Sequence, residues 1–233
     1  MRNILVSWST GKDSAWMLHR LRQEGAGEIA GLLTTFNEAF DRVAMHGTRR
    51  ELAEAQARAA GLPLWDVPLP WPCSNAEYEA RMASVIRRAK EAGITHVAFG
   101  DLFLEDIRKY RIEKLAGTGI EPLFPVWGTR EDTPGLAREM LAGGLSAVLT
   151  CVDPKQLDPR FAGRTFDAKL LDELPAGVDP CGENGEFHTV CVAAPCFNAP
   201  IPIEVGEVVE RDGFWFAEVL LNHGDTEARS TAG

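Results

Sequence analysis

The chain has 233 residues, 45% of them hydrophobic, and a formal net charge of −10. That length supports one large domain, or a domain with a compact appendage, around a substantial core. The acidic balance argues against nonspecific DNA binding, and the absence of any run of 18 apolar residues argues against a transmembrane helix.

Residues 4–6 (ILV) form a short apolar run of the kind that makes a buried parallel strand. Small polar residues break it, and residues 15–21 resume with helical spacing, Met17, Leu18 and Leu21 on one side. Strand, polar loop and helix in that order aim backbone N–H groups and the positive end of a helix dipole at one spot, which suits phosphate. With a strand starting at Ile4 no signal peptide is expected, and a cytoplasmic location is the default.

Further strands are expected at residues 28–36, 63–67, 95–100 and 121–126. Helices are expected at 48–60 (Leu52, Ala55 and Ala59 inward), 75–92 and 104–116, and residues 42–47 are expected to form a loop. Tyr78, Met82, Val85 and Ile86 mark the apolar face of the second of these helices. The alternation implies a doubly wound, parallel five-stranded α/β sheet, with ligands at the carboxyl ends of its strands. After residue 130 the texture changes. A helix at 134–142, a strand at 145–152 and a helix at 167–174 precede a polar loop at 179–189 (DPCGENGEFHT). Strands follow at 190–197, 201–208 and 214–221, the last two as a hairpin. The expected division is therefore a nucleotide-binding domain at 1–130, a smaller C-terminal α+β subdomain at 131–222 and a frayed tail at 223–233.

The five cysteines contain no C-x-x-C pair, which argues for reduced thiols and against a zinc site of the usual spacing. Cys151 and Cys191 sit in apolar runs as core residues, and Cys181 lies in the polar loop with nothing to mark it as a nucleophile.

The first turn is neither of two common phosphate loops. Val6 stands where a Walker A loop needs its first Gly, Asp13 follows Lys12, and G-x-G-x-x-G is absent. Its residues Ser9, Thr10, Gly11, Lys12, Asp13 and Ser14 resemble the S-G-G-x-D-S loop of the ATP pyrophosphatases, departing from it at Thr10. Other candidates fall at strand ends. Thr34 and Thr35 close the second strand, and His46 follows in the same connection as a loop histidine or a ligand. Gly100 and Asp101 close the fourth, where a carboxylate suits Mg²⁺, a ribose hydroxyl, an incoming amine or a helix cap. In the far loop, Glu183 and Glu186 suit a metal, an ammonium ion or acid–base work, or form an ordinary acidic turn.

Taken together, SWSTGKDS at 7–14, MHG at 45–47, GDLFLEDIRKYR at 100–111, FAGRTFD at 161–167 and CGENGEFHT at 181–189 resemble the diphthine–ammonia ligase family. This is the diphthamide-synthesis branch of the PP-loop ATP pyrophosphatases. Its eukaryotic members carry further C-terminal domains, and this chain is expected to hold the ligase module. The resemblance implies a HUP-type fold and ATP-dependent amidation, in which a carboxylate attacks the α-phosphorus, pyrophosphate leaves and ammonia displaces AMP. It implies an ATP site of Ser7, Ser9, Thr10, Gly11, Lys12, Asp13, Ser14, Thr34, Thr35, His46 and Gly100, with Mg²⁺ on Asp13. It also implies chemistry by Lys12, Asp13, Asp101, Glu183 and Glu186, and substrate contacts from Tyr110, Arg111, Asn184, Gly185 and His188. The implied partners are ammonium and a carboxylate acceptor, diphthine on elongation factor 2 in the family; a homodimer stays open. Competing readings are a PP-loop enzyme acting on a tRNA base or another small molecule, and an ATP-binding regulator without chemistry.

Overall fold

The computed structural model describes residues 1–44 and 47–222. His46 and the expected tail at 223–233 lie outside them. Five strands form a parallel sheet in the order β4 (Leu64–Leu69), β2 (Glu28–Asn37), β1 (Asn3–Ser7), β5 (His96–Ala98), β6 (Glu121–Leu123). Strand order therefore reverses between β1 and β5, and β1 carries the fully buried Ile4, Leu5 and Val6. A sixth, two-residue strand, β3 (Arg42–Val43), corrects the expected loop: it pairs antiparallel with Phe36 and Asn37, beyond the last β2 residue that pairs with β1.

Helices alternate with these strands. α1 (Lys12–Gln23) follows β1, and α2 (Arg50–Ala60) ends at Gly61 in the left-handed conformation. α2 buries Leu52, Ala53, Gln56, Ala57 and Ala60, while Ala55 and Ala59 stay half-buried, so the inward face is rotated from the one read in the sequence. α3 (Asn75–Glu91) starts at Ser74, whose side chain forms a capping box with Glu77. α4 (Glu105–Leu115) precedes β6. None of the helices among the described residues is long and apolar enough to cross a membrane.

The C-terminal part forms an antiparallel sheet in the order β8 (Phe187–Ala193), β7 (Ser146–Val152), β10 (Phe214–Leu221), β9 (Ile203–Arg211), with β9 and β10 as the expected hairpin. β8 begins three residues earlier than the sequence suggests. Polar His188 and Thr189 read as loop, yet they pair with β7. α5 (Thr133–Ala142) and α6 (Ala168–Glu173) complete this half. One hydrophobic cluster runs through both sheets, from Val6 and Leu18 to Met140, Leu149 and Phe187. Glu218 on β10 also accepts from Arg42 and Arg49, tying the antiparallel sheet to the edge of the parallel one.

Where α5 closes against α1, Gly143 is pressed onto the buried ring of Trp16. A Cβ there would lie 2.5 Å from Trp16 Cη2. Gly143→Ala is expected to cost about 1–3 kcal/mol through overpacking. The check is a lower urea midpoint at unchanged m-value.

Candidate active site

The site begins with a turn that cannot hold itself. Thr10, wholly buried, has φ +70°, a conformation that β-branched residues rarely adopt. This explains why a glycine suits the position. Thr10 Oγ1 compensates by donating to the Ser9 carbonyl and bonding the Thr48 hydroxyl at 3.0 Å. The Thr10 carbonyl accepts from Cys191 N–H on β8 at 2.8 Å and from Gln56 Nε2 on α2 at 2.9 Å. Gly11 is the N-cap of α1, and a Cβ on it would press on Ser9 Oγ and on Thr189 at 3.3 Å. Lys12 N–H donates to Thr189 Oγ1 at 3.1 Å. The start of α1 is thus fixed by β8 as well as by its own strand.

A cavity of about 200 Å³ opens over this turn, lined by Ser7, Ser9, Gly11, Lys12, Asp13 and Ser14 on one side. Gly100, Asp101 and Arg111 close a second side; Gly182, Glu183, Gly185 and His188 close the third. The missing side chain of Gly100 matters here, because a Cβ would meet the backbone of Asp13 and Ser14 at 3.3 Å.

Lys12 is buried, yet its ammonium donates to Asp13 Oδ2 at 2.8 Å and to the Cys181 carbonyl, and it lies 5.5–5.6 Å from the ring centroids of Phe166 and Phe187. Burial by itself lowers the pKa of this ammonium. The charge of Asp13 leads the opposing effects, and the net direction is upward. For Asp13, burial raises the pKa and Lys12 offsets it only partly. Glu183 Oε1 accepts from Leu102 N–H at 2.8 Å, and burial, reinforced by Asp13 and Asp101, pushes its carboxyl up to about 8. Burial, then the Lys12 charge, lowers the pKa of His188. Desolvation raises Cys181 above the ordinary thiol range, so it is held as a neutral thiol.

Asp13 Oδ1 is buried with no hydrogen-bond partner among the described residues. An orphan carboxylate oxygen at the start of a helix, facing a cavity, fits a hard divalent cation. No group of three His, Cys, Asp or Glu among the described residues is placed to hold a metal, so water or ligand oxygens would have to complete its shell.

Several expected residues stand elsewhere. The sequence pairs Glu186 with Glu183, but only Glu183 reaches the cavity. The buried Glu186 carboxylate turns back into its own loop, accepting from Asp179 N–H and Asn184 N–H at 3.0 Å and from the Asn184 side chain at 2.9 Å. Its position is a loop staple, and Asn184 is its partner rather than part of the lining. Thr34 is buried behind the wall, donating to the Trp8 carbonyl at 2.9 Å. Thr35 and Tyr110 line a second, larger cavity. Asp101 accepts from Arg111 Nε at 3.4 Å.

The sequence reading missed Gln56, Thr189 and Asp179. Gln56 is wholly buried and binds three groups: Trp8 Nε1–H, the Thr10 carbonyl and the Cys191 carbonyl. Its signal was present as an amide at i+4 from Leu52 and i−4 from Ala60, on a buried helix face. Asp179 Oδ2 accepts from Glu183 N–H at 2.8 Å and so orients that residue.

A parallel sheet in this order, with a polar turn after its first strand and a second sheet closing over it, is an α/β architecture consistent with a HUP-type fold. The chain belongs to the diphthamide synthase family: residues 1–120 match the diphthamide synthase N-terminal domain and residues 132–224 the C-terminal domain. It is 30% identical to the diphthine–ammonia ligase of Rattus norvegicus, over 91% of this chain and 86% of that protein. It is likewise 30% identical to that of Danio rerio, over 91% and 90%. The match to the Homo sapiens diphthine–ammonia ligase is 32% and spans 50% of this chain and 45% of that protein.

The raised Glu183 pKa predicts a pH dependence of stability. Between the ordinary carboxyl value of 4.5 and the folded value of about 8, folded Glu183 keeps a proton that the unfolded chain releases. The folded state then binds more protons, so this group's contribution to stability falls as pH rises through that window. Glu183→Gln is expected to remove this slope. Melting temperatures of both proteins from pH 5 to 8.5 check it, and parallel curves would contradict it.

Proposed function

We propose that this chain is an ATP-dependent ligase that adenylates a carboxylate and transfers ammonia to it, forming an amide with AMP and pyrophosphate as products. The observation that carries this reading is the convergence, in one cavity of about 200 Å³, of the loop around Lys12 and a high-pKa carboxylate, Glu183. The relatives' name, diphthine–ammonia ligase, supports ammonia as co-substrate and diphthine as acceptor.

In the first step an acceptor carboxylate oxygen attacks the α-phosphorus of ATP, and the α–β bridging bond breaks. The charge of the departing pyrophosphate develops beside Lys12 and the N–H groups at the start of α1, donors already fixed before the reaction. Asp13 would hold Mg²⁺, whose chemistry is to neutralise phosphate oxygens. In the second step the ionised form of Glu183, the minor form at neutral pH, takes a proton from ammonium, and the resulting ammonia attacks the acyl carbon. The acyl–oxygen bond breaks and AMP leaves. A carboxylate with a pKa near 8 is matched to this proton transfer at neutral pH. The loop held by Glu186 covers the mixed anhydride against water.

Incubation with ATP, ammonium and an acceptor is expected to yield AMP and pyrophosphate in equal amounts. Asp13→Asn is expected to retain its circular dichroism and lose about 10²-fold or more in turnover, the scale of removing one preorganised electrostatic group. ADP as the acceptor-dependent product, or undiminished turnover in the variant, would contradict the reading.

A further inference from the structure

The larger cavity, about 680 Å³, is a slot between α3 and the parallel sheet. α3 spans 17 residues but buries only Ala89. Its apolar stripe of Tyr78, Met82, Val85 and Ile86 stands half-buried over Leu5, Leu33 and Val97, which are buried. Interiors are normally close-packed, so an apolar helix face held off an apolar floor leaves burial unused.

The helix is held unevenly along its length. At its C-terminal end Ala89 and Ile94 are buried, and the Arg88 guanidinium lies 4.2 Å from the Trp65 ring centroid on β4. Gly93, at φ +73°, turns the chain back toward β5. At the N-terminal end residues 74–77 are exposed, as is Trp71 before them. There α3 is tied to α4 by Lys114, which donates to Glu79 at 2.5 Å, and by Tyr78, whose hydroxyl interacts with the Arg111 guanidinium. An exposed ion pair such as Glu79–Lys114 contributes little to stability, so this end is latched rather than packed. Arg111 carries the latch to the site. It lines both cavities, with its guanidinium 4.8 Å from the Phe99 ring centroid and Nε on Asp101 at 3.4 Å. A ligand over Lys12 that engages Arg111 therefore acts on the free end of α3.

We propose that α3 is a lid, hinged between Ala89 and Gly93, whose N-terminal half closes onto the sheet when ATP occupies the cavity over Lys12. The proposal rests on the ligase reading above for its trigger, ATP, and on the uneven anchoring of α3 for the motion. Closure buries the stripe of Tyr78, Met82, Val85 and Ile86. An acyl-adenylate formed over Lys12 is then shielded from water by α3 as well as by the loop at 179–186.

Cys73 reports the motion without an added label. It lines the slot just before α3 and is half-buried, whereas Cys151, Cys181, Cys191 and Cys196 are buried. Alkylation by iodoacetamide, followed site by site with mass spectrometry, is expected to modify Cys73 in the native chain. Saturating ATP with magnesium is expected to slow that reaction about tenfold or more, the scale of a shifted two-state equilibrium. The double variant Met82→Gln, Val85→Gln puts amides on the stripe, which stay solvated in the open helix and would be buried unpaired on closure. It is expected to keep the unliganded rate and to lose the slowing. Equal slowing in both proteins, the mark of direct shielding by the nucleotide, would overturn the lid. So would an unchanged rate in wild-type protein that calorimetry shows to be saturated with ATP. If calorimetry finds no ATP binding, the ligase reading falls and the lid is judged without ligand. Concentrated sucrose, which favours buried over exposed surface, is then expected to slow Cys73 alkylation about threefold in wild-type protein and not in the double variant. The same sucrose effect in both would overturn the lid.

Discussion

The structure depends on one backbone carbonyl. Thr10 O points away from its own strand and is satisfied by Cys191 N–H and the Gln56 side chain. Without those two donors the left-handed turn would be anchored from outside only through side-chain hydroxyls, those of Thr48 and Thr189, and the start of α1 would lose part of its fixed aim. The turn at 9–12 belongs to the parallel sheet by sequence and to both sheets by hydrogen bonding. Lys12 repeats the arrangement, with its N–H on Thr189 and its ammonium on the Cys181 carbonyl. The C-terminal half is therefore part of the cavity over Lys12, not an appendage to it.

That sharing sets the electrostatics. Covering the turn with β8 and its preceding loop removes water from Lys12, Asp13 and Glu183 together. One buried cation among several carboxylates leaves at least one carboxyl better off protonated. Geometry selects Glu183: Lys12 contacts Asp13 directly, whereas Glu183 has a single backbone donor, Leu102 N–H, and faces Asp13 and Asp101. The same enclosure that raises its pKa would protect an activated acyl group from hydrolysis. Site chemistry and fold closure thus have one physical cause, desolvation by the second sheet.

The alternation of parallel strands with helices and the strand–turn–helix start of the chain were legible because each depends on short-range pattern: a three-residue apolar strand, a small polar turn, a helix period. The rest depended on contacts distant in the chain. Glu183 and Glu186 look alike in sequence. Gly182 and Gly185, both at positive φ, turn the chain so that Glu186 folds back on Asp179 while Glu183 faces the cavity. Thr34 reads as a strand-end ligand but is spent on Trp8. Gln56 was visible as a polar residue on a buried helix face, a pattern that marks a polar contact without saying with what. The slot under α3 had no signal, because its apolar stripe has the same period whether the helix is fully packed or stands half off the sheet.

The claim that the antiparallel sheet builds the phosphate turn is tested most directly by ATP binding to Gln56→Leu. The substitution keeps size and removes the three hydrogen bonds that join Trp8, Thr10 and Cys191. Leaving such buried groups unsatisfied costs about 1–3 kcal/mol. Calorimetry at a temperature where the variant is fully folded should record ATP affinity lower by about tenfold or more. Wild-type affinity in a folded Gln56→Leu protein would contradict the account.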